Sequence, residues 1–183
     1  MKRILLLFSA LMLSIAAVWA HDVEIDGIYY NLDETNKTAG VTYRGDYYDD
    51  YDDEYSGSVT IPETITYNSQ TYRVTSIGTE AFKGCSGLTS VTIPNSVTYI
   101  GDHAFYGCSG LTEILVLSNN EKFSSENGVL YNKDKTTLIK YPEGKKDTSF
   151  TIPNSVTSIG DHAFYDCSGL TSVTIPNSVT SIG

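Results

Sequence analysis

The chain has 183 residues, of which 22 are acidic and 12 basic, for a formal net charge of −10. A surface this acidic has no electrostatic grip on phosphate backbones or anionic lipid, which excludes nucleic-acid and polybasic membrane-surface roles and leaves proteins, glycans or cations as partners. With 40% hydrophobic and 19% charged residues a folded core is expected, and 14 Tyr against 6 Phe and 1 Trp suit half-buried strands and wet contact surfaces.

Met1, Lys2 and Arg3 form a short basic start, followed by an apolar run from Ile4 to Val18 that closes on the small-residue site Val18-Trp19-Ala20. This is the layout of a secretory signal peptide over residues 1–20, with cleavage between Ala20 and His21. An uncleaved anchor would need about 18–20 apolar residues and basic residues after the span, where this chain has His21 and Asp22. The expected product is exported, secreted or held at the cell surface, with no membrane insertion after cleavage.

Residues 21–55 read as an N-terminal β cap, because Val23–Ile25 and Ile28–Leu32 flank Asp26-Gly27, a two-residue hairpin signal. The cap ends in Tyr43 to Tyr55 (YRGDYYDDYDDEY), which holds six carboxylates and five tyrosines in 13 residues. Such a run suits a solvated acidic loop, or a recognition patch in which Tyr47, Tyr48 and Tyr51 supply contact area at low entropy cost. Calcium is a third reading, without the D-x-[DN]-x-[DN]-G loop that would define its geometry.

From residue 56 the chain repeats. Between residues 92–110 and 151–169, 17 of 19 positions agree, the exceptions being Tyr99 against Ser158 and Gly107 against Asp166. The period is 23 residues, which divides 56–183 into repeats 56–87, 88–110, 111–146, 147–169 and 170–183. In the unit, Leu88, Val91 and Ile93 follow an L-x-x-L-x-L pattern that turns alternate side chains of a short strand inward, leaving Thr89, Ser90 and Thr92 to solvent. Pro94, repeated as Pro62, Pro153 and Pro176, ends the strand, and Gly101 is expected to supply the positive φ of a tight turn. Asp102 and Asp161 are expected to cap a short helical turn carrying Ala104-Phe105 and Ala163-Phe164. The fold class is therefore a β-rich leucine-rich-repeat solenoid with short helical turns, preceded by the N-terminal β-hairpin cap.

Two repeats depart from the unit. Repeat 56–87 carries nine extra residues around Asn68-Ser69-Gln70, which predict a small hairpin. Repeat 111–146 loses the Pro and the Ala-Phe step. There Asn127-Gly128 opens a strand Val129–Tyr131 that turns through 132–135 and returns over Thr137–Tyr141, a second inserted hairpin. The last repeat stops nine residues short of a full unit at Gly183, an open end expected to be covered by further chain, by a partner or by self-association.

Cys85, Cys108 and Cys167 share one repeat position and are expected to pack inside as small apolar residues rather than as a disulfide framework. His103 and His162 also share a position. Counting the irregular coil between them, the imidazoles are expected about 10 Å apart, too far for one zinc. No catalytic, cofactor-binding or metal-binding residue, and no cofactor, is assigned.

The signal segment, LTSVTIPNSVTSIG and DHAFYGCSG together resemble the BspA-like leucine-rich repeat proteins of host-associated bacteria, with the IP-x-x-V-x-x-IG-x-x-AF-x-x-C order complete at Ile93–Cys108 and Ile152–Cys167. The segment 128–142, GVLYNKDKTTLIKYP, also looks like an insertion common in that family. The resemblance implies a secreted or surface-exposed, non-enzymatic binding protein, associated with adhesion to host matrix and plasma glycoproteins such as fibronectin and fibrinogen and with coaggregation. The residues on which partner binding is placed are Ser90, Thr92, Glu113, Leu115, Ser172 and Thr174 on the strand faces, with Tyr47, Tyr48 and Tyr51. Surface glycan binding and a passive spacer are the rival readings.

Overall fold

A computed structural model describes residues 21–45 and 54–183. The signal segment and Tyr47, Tyr48 and Tyr51 lie outside the described residues. Strand β1 (Val23–Ile25) and strand β2 (Ile28–Asp33) form an antiparallel hairpin over Asp26 (φ 52°) and Gly27 (φ 76°), the two left-handed residues a type I′ turn requires. Strand β3 (Thr38–Thr42), not foreseen from sequence, lies antiparallel to β2 and carries the cap onto the repeats.

The first repeat contributes β4 (Gly57–Thr60), β5 (Thr64–Tyr67) and β6 (Gln70–Ile77). The expected hairpin is β5–β6, turning at Asn68 (φ 48°) and Ser69 (φ 62°), and β6 pairs in parallel with β3. Next come β7 (Leu88–Ile93), β8 (Tyr99–Ile100) and β9 (Glu113–Val116). Strands β4, β7 and β9 form one parallel ladder that stacks Val59, Val91 and Ile114 inward.

A second parallel ladder, absent from the sequence reading, runs from β3 through β6 to β8, pairing Ile77 with Ile100. A separate ladder of the same kind starts within the irregular coil at β12 (Thr137–Lys140) and continues through β14 (Ser158–Ile159) and β16 (Ser181–Ile182). The insertion in that coil is a meander of three strands: β10 (Phe123–Glu126), β11 (Val129–Asn132) and β12. Strand β10 pairs with β11 across Asn127 (φ 51°) and Gly128 (φ 78°). Strands β13 (Ser149–Thr151) and β15 (Ser172–Thr174) pair separately.

The helical turns expected after Gly101 and its equivalents do not form, and the described residues contain no helix. The corner is a chain of turns in which Ala81 N donates to Gly78 O, Lys83 N to Glu80 O and Cys85 N to Phe82 O. Glu80, His103 and His162 adopt φ of 58°, 57° and 53°, which interrupts any right-handed helix at the same place in three coils. Neighbouring coils also claim the donors: Glu80, Phe82 and Gly84 give their N–H groups to Asp102, Ala104 and Tyr106 of the next coil. Asp102 and Asp161 are exposed and cap no helix. Gly101 is likewise absent from the left-handed residues; it is glycine because a Cβ there would stand 2.4 Å from the Thr79 nitrogen.

Inside, Tyr29, Tyr55, Phe82 and Phe105 follow one another with ring centroids 5.7, 4.7 and 5.5 Å apart. Tyr55, read from sequence as the end of the acidic run, is buried and joins cap to solenoid: its hydroxyl donates to Thr42 O at 2.5 Å and accepts from Tyr29 N at 3.1 Å. Asn120 ties the irregular coil to its neighbour. It is fully buried, donates to Pro94 O and Val97 O, and accepts from Lys122 N and Phe123 N.

Two stability measurements test this arrangement. Gly101→Ala forces backbone against backbone, and its cost is expected at about 1–3 kcal/mol, read from the urea midpoint. Tyr55→Phe keeps the ring contacts and leaves the Tyr29 N–H and Thr42 carbonyl without their buried partner, an expected loss of about 1–3 kcal/mol. A change within error in the Tyr55→Phe variant would remove the hydroxyl from its role as the joint.

Candidate interaction surface

The outward residues of the first ladder lie in cross-strand rows. One row is Ser58, Ser90 and Glu113; the other is Thr60, Thr92 and Leu115. Ser90 Oγ donates to Ser58 Oγ at 2.7 Å, and both Ser90 and Thr92 are half-buried between their neighbours, so these two are less open than the alternation alone implied. Glu113 and Leu115 are exposed. Leu117 continues the ladder by donating to Ile93 O at 3.0 Å, and strand alternation puts it on the side of Leu115. The two leucines are 39% and 43% exposed, a short apolar ridge beside a hydroxyl-lined surface. Leu117 was missed in the sequence, where the Leu-Val-Leu alternation at 115–117 was its signal.

Ser172 and Thr174 sit on a different sheet, in register with Ser149 and Thr151 on β13–β15. The far edge of β9 is occupied by the inserted meander, since Ile114 N donates to Gly128 O and Val116 N to Ser125 Oγ, both at 2.9 Å. The six strand residues therefore form two groups. The described ends of the acidic run meet, with Arg44 N donating to both carboxylate oxygens of Glu54. Burial holds the Glu54 carboxyl above its ordinary range, opposed by those backbone donors.

Cys85 and Cys108 are buried, Cys167 is half-buried, and no disulfide joins any two of them. Cys108 Sγ donates to Phe82 O at 2.9 Å. Burial pushes the Cys108 thiol far up and that of Cys167 up to about 11, the opposite of what a nucleophile needs. In native buffer at pH 8 a thiol reagent should therefore modify the chain slowly, and in guanidinium all three sites should react at once. Rapid native labelling of Cys108 would contradict the packing role.

The corner that bears the histidines differs most from expectation. His103 and His162 have ring centroids 4.9 Å apart, not the separation of about 10 Å inferred from coil spacing. The cause is a shortened coil between them. Phe82, Phe105 and Phe164 each lie five positions after their ladder isoleucine, Ile77, Ile100 and Ile159. Tyr141 takes the same place, stacked on Phe164 at 5.6 Å with its N–H on Ala163 O, but only three positions after Leu138, the partner of Ile159. The two omitted residues are the ones that would carry an intervening corner. A cleft of about 340 Å³ opens in their place, lined by Ile139 and Lys140 of the short coil and by Asp102, His103, Asp161 and His162 on its flanks.

Beside the cleft, Tyr106 and Tyr165 stack at 4.1 Å, and the hydrogen bond between them, with burial, raises the Tyr106 phenol. Lys140 Nζ meets Glu143 Oε1 at 2.9 Å, and the same oxygen accepts from Gly107 N, which ties the short coil back to its neighbour. Among the described residues no three His, Cys, Asp or Glu converge as a metal site, and no helix is long and apolar enough to cross a membrane.

The sequence profile of the BspA type leucine-rich repeat region matches residues 58–147 and 142–183, in six copies. A leucine-rich repeat protein from Bacteroides ovatus superposes with a TM-score of 0.56 and 30% identity over 87% of this chain and 42% of its own. A leucine-rich cell surface protein from Faecalibacterium prausnitzii gives 0.54 and 27% over 87% of this chain and 44% of its own. A leucine-rich repeat protein from Eubacterium ventriosum shares the fold, with a TM-score of 0.50 at 24% identity over 87% of this chain and 66% of its own. The chain thus spans less than half the length of the first two. No curated protein shows significant similarity to it.

Proposed function

The chain belongs to the BspA type leucine-rich repeat proteins, and from that membership we propose that it is an exported binding protein which engages extracellular proteins through the outer face of its strands. The apolar ridge of Leu115 and Leu117 carries the reading, because it is the one place on the β4–β7–β9 face where large apolar side chains interrupt a row of hydroxyls. Glu113, Ser90 and Thr92 surround it with hydrogen-bonding groups, the layout of an apolar contact with a polar rim. Ser172 and Thr174 on the second sheet, and Tyr47, Tyr48 and Tyr51 in the acidic run, are secondary contacts.

Export rests on the signal segment at 1–20, and placement at the cell surface is supported by the relative described as a cell surface protein. The partners are host matrix or plasma glycoproteins, or proteins of neighbouring cells, bound without a chemical step. Surface glycans are the competing ligand, and a passive spacer the reading without one.

The test is binding to immobilised fibronectin, fibrinogen and a glycan panel by the wild type and by Leu115→Ser combined with Leu117→Ser. Saturable binding to a protein ligand, weakened about tenfold or more in the double variant, is the expected result, since truncating buried apolar anchors costs about 1–2 kcal/mol or more each. Retention by glycans alone would replace the protein partner, and loss only on Tyr47, Tyr48 and Tyr51→Ala would move the site to the acidic run. A folded, monodisperse chain that binds none of them sinks the proposal. Light scattering on the same samples reports self-association through Val173, Ile175 and Ile182, which are exposed on the last coil.

A further inference from the structure

The histidine corner has a chemistry that protein binding does not use. We propose that His103 and His162 together form a site for one borderline divalent cation, of the zinc or copper(II) class. With metal–nitrogen bonds of about 2.0–2.1 Å and each ring centre roughly 1.1 Å behind its nitrogen, two imidazoles on one tetrahedral ion have centres about 5 Å apart. The rings here are 4.9 Å apart and inclined at 42°, which matches the spacing that shared coordination asks for.

The backbone of each histidine is held by the same short turn: Ala104 N donates to Gly101 O and Tyr106 N to His103 O in one coil, Ala163 N to Gly160 O and Tyr165 N to His162 O in the other. Both histidines are exposed on the flanks of the cleft, where the two-residue shortening of the coil between them leaves room for an ion and its waters. Each follows an exposed aspartate, Asp102 or Asp161, in a chain of net charge −10, which favours a cation at this end of the cleft. Imidazole nitrogen selects zinc, copper or nickel over calcium and magnesium, which take oxygen. Among the described residues no third His, Cys, Asp or Glu converges, so in the proposed site water completes the coordination and the ion is exchangeable rather than a structural clamp.

The experiment uses the untagged chain, titrated with zinc by calorimetry and with copper(II) by absorbance. One ion per chain is expected. His103→Ala and His162→Ala should each weaken binding by more than about tenfold, the scale on which even outer partners of metal ligands act. Every sample carries His21→Ala, because cleavage after Ala20 makes that residue an N-terminal histidine whose amine and imidazole would chelate copper(II) or zinc by themselves. Copper(II) should broaden the ring resonances of His103 and His162 in the chain that keeps both rings, a readout that needs no substitution at either, and His103→Gln repeats the loss with a side chain of similar size should the alanine variant misfold. Ion binding that survives both substitutions would place the ion elsewhere, the carboxylates of 46–54 included, and overturn the proposal. Absence of saturable binding would do the same, leaving the two rings as a packing contact.

Discussion

Backbone hydrogen bonds between successive coils hold this solenoid in register, and the bonds recur at equivalent places: Thr98 N to Thr75 O, Gly101 N to Ile77 O, Thr157 N to Thr136 O, Gly183 N to Ile159 O. Each coil leaves donors and acceptors pointing along the stack, so only an adjacent coil in the right register satisfies them. The constraint acts on every corner at once. A coil that gains or loses residues must absorb the change between two ladders and be back in step at the next. The first repeat does so by folding its extra residues into the β5–β6 hairpin, and the irregular coil by folding its own into the β10–β11–β12 meander. The same register explains the glycine at 101, where the coils approach too closely for a Cβ.

Much of the fold was legible because the β7-type strands announce themselves twice, by alternation at Leu88, Val91 and Ile93 and by the proline that follows. The hairpins were legible for a similar local reason, since Asp26-Gly27 and Asn127-Gly128 are residue pairs that tolerate left-handed φ. The second ladder was not, because strands of two residues such as β8 and β14 have no period of their own and exist only through bonds to the next coil. The helical turn failed for the complementary reason. Asp102-His103-Ala104-Phe105 suits a first helical turn in isolation, but its equivalent coil spends those N–H groups on its neighbour.

The candidate site was partly legible. Leu115 stood out as a leucine in a row of threonines, while Leu117 lay just beyond the end of the repeat pattern. The histidine pair was misplaced because coil counting assumes equal width at every corner. The correct answer was present in the chain, in the three-position step from Leu138 to Tyr141 against five elsewhere, but it becomes visible only once Tyr141 is recognised as standing in for the corner phenylalanine.

Both proposed sites trace to the coil 111–146. Its strand β9 carries Leu115 where regular coils carry threonine, Leu117 follows the strand where they carry proline, and its shortened corner opens the cleft that brings His103 to His162. Regular repeats present nearly identical surfaces, so a ligand meeting only those would find equivalent positions along the stack and no preferred register. A coil that breaks the pattern supplies the missing landmark. It does so on one strand face and at one corner, and buried polar ties fasten it to the preceding coil, Asn120 on one side and the Lys140–Glu143 pair with Gly107 N on the other. The interruption reaches the interior as well: the buried core divides at this coil into two clusters, one ending with Ile114 and Leu130 and the other holding Val129, Tyr131 and Tyr141, and the ladders on its two sides are separate sheets, so the landmark is a joint in the stack and not only a change of surface.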